Sequence, residues 1–140
     1  MKKMMNLSFL YAILAMVGGV FYREFTKFNG FSGRSTLGFV HGHLFLLGMV
    51  VFLVVALFCH STKLAETKPF GGFLVAYNIG LPLTAIMFVV RGIPQVLGTE
   101  LSKGMSAAIS GIAGLGHIIL GVGIVMLLLA LRKVAAQEKA

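Results

Sequence analysis

The chain has 140 residues, of which 58% are hydrophobic and 11% charged, where a soluble domain carries roughly a quarter charged residues. Its mean hydropathy of +0.96 leaves more apolar surface than a soluble core of this size could hide, so a bilayer has to take it. The net charge of +8 does not indicate nucleic acid, because Lys and Arg stand at the ends of apolar segments and form no run interleaved with aromatics.

A bilayer-crossing helix needs about 20 mostly apolar residues, and four such segments fit here. The expectation is a single domain over residues 1–140: an all-α integral membrane four-helix bundle, up-down-up-down, whose principal partner is the lipid bilayer. The first segment runs from about Leu7 to Tyr22 after Met1-Lys2-Lys3. That opening also suits a secretory signal peptide, but no A-x-A site follows it. Tyr11, Ala15, Gly18 and Tyr22 share one helical face, as a helix retained in a bundle requires.

The second segment, about Leu37 to Cys59, is entered through Phe31-Ser32-Gly33-Arg34-Ser35-Thr36, which offers N-caps. The third runs from about Gly72 to Val90 with Pro82 inside it, which membrane helices tolerate. The fourth runs from about Met105 to Leu131 and ends at Arg132-Lys133. Connections of roughly 12 to 15 residues remain between these apolar cores. Seven basic residues (Lys2, Lys3, Lys63, Lys68, Arg132, Lys133, Lys139) lie on the side of the termini, against five (Arg23, Lys27, Arg34, Arg91, Lys103) on the other. The positive-inside rule then places both termini in the cytoplasm, with the protein in the cytoplasmic membrane.

Polar groups inside a membrane are candidates for function, and here they are histidines. His41 and His43 flank Gly42 near the start of the second segment. Two residues apart on a helix, they point about 200° away from one another. Gly38 and Gly42 form a G-x-x-x-G ridge that suits either close helix packing or a flat ligand. His117 lies well inside the fourth segment, with Ser110, Ala113, Gly114 and Gly121 on its face. Those small residues leave a dent with an imidazole at its bottom. His60 falls at a helix end, where a histidine needs no special reason.

In the third segment Tyr77, Thr84 and Arg91 recur every seven residues, which suits interhelical hydrogen bonding. Arg91 and Arg34 lie above the histidine layer, as membrane anchors or as partners for haem propionates. The four acidic residues, Glu24, Glu66, Glu100 and Glu138, lie in loops or the tail, so no buried carboxylate relay exists. No Walker, nucleophile-elbow, HExxH or CxxC pattern is present, and no catalytic residue is assigned.

The stretch Phe39-Val40-His41-Gly42-His43-Leu44-Phe45-Leu46-Leu47-Gly48-Met49 resembles the second-helix histidine motif of haem–copper oxidase catalytic subunits and related haem-bearing nitric-oxide-response membrane proteins. The resemblance implies that His41 or His43 is an axial haem ligand. His117 becomes the distant partner by role, without a matched motif. There is no further histidine cluster for copper, so oxidase-type oxygen reduction is not implied. In length and layout the chain is similar to a small bacterial four-helix membrane family of unknown function.

These residues give an expectation of haem b held by His43, His117 or His41, with Gly42, Gly114 and Gly121 making room and Arg34 and Arg91 above. Electron transfer, haem handling and gas sensing all remain open. The alternatives are a copper or other metal-ion site built on His41, His43 and Met49, and a cofactor-free assembly or transport subunit. The glycine ridges suit contacts within one chain or within a homo-oligomer. Nucleic acid is not an expected partner.

Overall fold

The computed structural model describes residues 1–137. It contains four helices long and apolar enough to cross a membrane: α1 Lys2–Phe28, α2 Leu37–Ser61, α3 Lys68–Leu97 and α4 Lys103–Gln137. A short 3₁₀ turn, Leu64–Glu66, lies between α2 and α3, and no strand occurs among the described residues. The protein is an all-α, multi-pass membrane four-helix bundle.

Every helix outruns its apolar core, and the connections shrink to residues 29–36, 62–67 and 98–102. Hydropathy marks only the lipid-buried part of a helix, whereas backbone hydrogen bonding carries the helix on into the headgroup region. Pro82 and Pro94 both lie within an unbroken α3, and Gly98 ends it in a left-handed conformation at φ 66°. Arg91 therefore lies inside α3, six residues before its last residue.

Each helix packs chiefly on its sequence neighbours: α1 along α2, α2 on α3, and α4 along α3. The α3–α4 seam is close because side chains are missing on both sides. Gly116 faces Thr84, Gly123 faces the Tyr77 backbone, and Gly80 meets the backbone of Leu120. In the most apolar window of α3, 39% is buried inside the protein, against 22% for α1 and for α4. Helix α3 is thus the spine, and lipid covers much of its flanking neighbours. The core on that spine is aromatic, with Phe52, Phe73 and Tyr77 fully buried. Tyr11 of α1 stacks on Phe52 of α2 at 5.6 Å between ring centroids.

Helix α2 changes its winding midway. Leu44–Val50 is a π-helical stretch, in which each N–H reaches back five residues and the ladder shifts. Side chains from both neighbouring helices donate to carbonyls in this stretch. The Tyr77 hydroxyl of α3 donates to the Leu47 carbonyl at 2.8 Å, and the Ser8 hydroxyl of α1 donates to that of Met49 at 2.8 Å. Gly48 lies against the Tyr11 ring, where a Cβ would come within 2.6 Å of it. Tyr77 thus makes the interhelical bond expected of it. Thr84 does not: its hydroxyl is buried with no partner, pressed against the α4 backbone at Gly116.

Candidate functional site

The start of α2 is docked on α3 by polar contacts. The Ser35 hydroxyl donates to the Gly92 carbonyl at 3.0 Å, and the Thr36 hydroxyl donates to that of Phe88 at 2.8 Å. The Thr36 N–H also donates to the Gln95 side-chain oxygen at 2.8 Å. With Tyr77 holding Leu47, α2 is fixed to α3 both before and after His43. On the other side of the spine, the Arg91 guanidinium donates to the Ser106 carbonyl at 2.9 Å and to the Ser110 hydroxyl at 2.6 Å. Helix α3 therefore ties α2 and α4 about two turns or more before their histidines.

His43 of α2 and His117 of α4 come together, with ring centroids 6.5 Å apart and planes at 85°. Each imidazole is oriented by its own helix. The Nδ1 of His43 bonds to the Phe39 carbonyl at 2.9 Å, and that of His117 to the Ala113 carbonyl at 2.8 Å. A carbonyl can only accept, so Nδ1 carries the proton on both neutral rings. Nε2, with its lone pair, is the nitrogen left for a ligand on each. Around them Gly42, Gly114 and Gly121 each have open space where a side chain would be. His117 itself is exposed on α4, as is Gly114, so the small residues beside it leave an open face toward lipid and not an enclosed dent.

His41 is placed elsewhere. It turns toward α1, where a side chain added at Gly19 would meet its Cβ and Cγ, and its buried Nδ1 has no partner. The structure therefore separates His41 from His43, as two residues of one helix turn must be. The glycine ridge is also divided, since Gly38 packs on the Tyr22 ring while Gly42 stays open.

Phe88 joins the two histidines, although no motif in the sequence marks it. Its ring centroid lies 4.8 Å from that of His43 and 5.8 Å from that of His117. It fills the α3 side of the gap, and Phe39 packs on it at 5.7 Å. Phe88 is four residues after Thr84 and three before Arg91, so helical periodicity alone puts it on the Tyr77–Thr84–Arg91 stripe. A cavity of about 310 Å³ opens beside Gly42 and His43. It adjoins, through Gly38 and Phe39, a second of about 590 Å³ lined by Arg34, Tyr22 and Gln95. Arg34 thus stands above His43 on one side, and Arg91 above His117 on the other. Among the described residues there is no group of three or more His, Cys, Asp or Glu side chains that could hold a metal ion.

Fold and site together describe a multi-pass membrane protein with two facing imidazoles within its spans. The chain belongs to the family described as "Protein of unknown function (DUF2871)", whose model matches residues 1–134. No curated protein and no solved structure matches it.

Proposed function

We propose that the protein binds haem b between His43 and His117 and serves one-electron transfer in the membrane. The observation that carries this reading is the spacing of the two rings. Imidazoles bonded at about 2 Å to opposite sides of one metal ion have centroids about 6 Å apart, and here they are 6.5 Å apart. If haem is bound, the two imidazoles would hold its iron and the macrocycle would supply the remaining ligands. A haem held by two histidines exchanges electrons without needing an open coordination position.

The chain's own groups are suited to that cargo. The Phe39 and Ala113 carbonyls hold each imidazole in one tautomer and raise its basicity as a ligand. Gly42, Gly114 and Gly121 leave room for flat faces. Ser110, bonded to Arg91, stands seven residues from His117, about 10 Å along the helix. Arg91, with Arg34 on the other side, is therefore set to pair with the carboxylates of a bound macrocycle. The single Cys59 provides no C-x-x-C-H attachment motif, which excludes a c-type haem and is consistent with the b type. One side chain obstructs: a macrocycle centred between the rings requires Phe88 to swing aside.

That obstruction favours a second reading, a lone copper(I) ion held by the same two imidazoles, which leaves Phe88 in place. We further infer that both termini lie in the cytoplasm, which puts the two-histidine site in the outer half of the bilayer.

The deciding experiment is an absorption spectrum of the purified protein and of His41→Ala, His43→Ala and His117→Ala. The haem reading expects a Soret band, sharp α and β bands on reduction, and no response to carbon monoxide. His43→Ala and His117→Ala lose haem or gain a carbon monoxide response, while His41→Ala keeps the native spectrum. A colourless protein containing stoichiometric copper selects the ion. Full haem retention in both His43→Ala and His117→Ala overturns the assignment.

A further inference from the structure

At the end of the bundle opposite the histidines, the α2–α3 connection and the last turns of α4 enclose a cavity of about 630 Å³. Among the described residues, Lys63 lines it from the connection and Lys133 from α4, with Glu66 as its one carboxylate. The hydroxyls around it are already donating to nearby backbone carbonyls: Ser61 to Leu57, Thr62 to Phe58, and Thr67 to Leu64. Recognition of a charged guest therefore falls to the ammonium groups. The ion pair found among the described residues, Arg23 with Glu24, lies at the other end of the molecule.

A second crevice of about 330 Å³ adjoins this chamber, sharing Thr62 and Val134 with it. Its walls are Phe58, Leu131 and Ala135, with Arg132 at its edge. Among the described residues, polar chamber and apolar crevice together carry three cations against one carboxylate. Their level in the bilayer follows from helix length. Helix α4 has 35 residues, a length of about 52 Å, where the hydrocarbon core is about 30 Å thick. Its apolar run ends at Leu131, so Lys133 stands at headgroup height and Phe58 and Leu131 lie at the top of the acyl chains.

We propose that this pair of cavities is a binding site for an anionic phospholipid. The headgroup phosphate lies between Lys63 and Lys133, and an acyl chain runs down the Phe58–Leu131 crevice. Basic pockets between membrane helices recognise lipid headgroups in this way. The site shares no residue with the two-histidine centre, so it stands whatever that centre binds.

The test is native mass spectrometry of the full-length protein in detergent, with phosphatidylglycerol or phosphatidylcholine added. Wild type retains phosphatidylglycerol in preference to phosphatidylcholine. Lys63→Gln and Lys133→Gln each weaken that retention about fivefold, the effect of one basic group near a membrane surface. Lys63→Arg and Lys133→Arg keep it, and circular dichroism confirms that every variant holds its helicity. Lys2→Gln with Lys3→Gln, which removes charge outside the cavity, leaves it unchanged. Equal retention of the two lipids, or equal loss in the Lys2/Lys3 variant, overturns the proposal. So does displacement of phosphatidylglycerol by millimolar inorganic phosphate, which would reveal a site for a free anion.

Discussion

Phe88 occupies the position on which the competing readings of the site diverge. Its ring stands 4.8 Å from that of His43, in the space a macrocycle needs and a lone ion does not. Phe88→Ala should therefore leave haem content intact and speed haem uptake by the ligand-free protein, followed in a stopped-flow titration. Loss of haem from this variant would mean that the ring supports the cofactor and does not merely occupy its place. Arg91 gives a second residue-level prediction. It holds Ser106 and Ser110 of α4, so Arg91→Gln removes both a seam contact and a cation above His117. Haem should dissociate faster from Arg91→Gln than from Arg34→Gln, because Arg34 is exposed and makes no such contact with α4. Equal and native retention in both variants would reduce the two arginines to interfacial anchors.

At the scale of the element, the π-helical stretch Leu44–Val50 follows directly on His43. Tyr77→Phe removes the donor to Leu47, and Ser8→Ala removes the donor to Met49. Each loss should cost about 1 kcal/mol of stability in detergent, the range of interhelical hydrogen bonds in membranes. Only Tyr77→Phe should also alter the spectrum of the bound group, since Leu47 lies one turn past His43. An unchanged spectrum would mean that docking at Ser35 and Thr36 alone fixes the ring. The glycines of α4 divide in the same testable way. Gly123→Val drives a side chain into the Tyr77 backbone, where even a Cβ would stand at 3.0 Å, and overpacking of this kind costs about 1–3 kcal/mol. Gly114→Ala points into open space, so thermal unfolding should hardly change while haem occupancy falls.

These elements also show what could be read without coordinates. Four apolar segments, and a histidine among small residues at His117, follow from periodicity and the cost of polar groups in lipid. His43 could be separated from His41 only by knowing which face of α2 meets α1, and that is decided by Gly18 and Gly19 on a different helix. The π-helical stretch has no sequence signature, because it depends on hydroxyls from Ser8 and Tyr77 arriving at the right height. Segment ends differ from the helix ends for a simpler reason: hydropathy reports lipid contact, whereas helices persist beyond it.

For the molecule as a whole, α3 is the spine that holds α2 and α4 in register, and the bilayer covers much of α1 and α4. Orientation in that bilayer sets what the two-histidine site can reach. Seven basic residues on the side of the termini against five on the other favour termini in the cytoplasm. The Lys63–Lys133 cavity then faces the cytoplasmic leaflet, and the site between His43 and His117 is nearer the outer surface. A reporter active only in the cytoplasm should give signal when fused at Ala140 and none when inserted near Gly30, and a periplasmic reporter should give the reverse. A periplasmic signal at Ala140 would invert the molecule. An electron partner for the two-histidine site would then be sought on the cytoplasmic side, although every contact around His43 and His117 would stand as described.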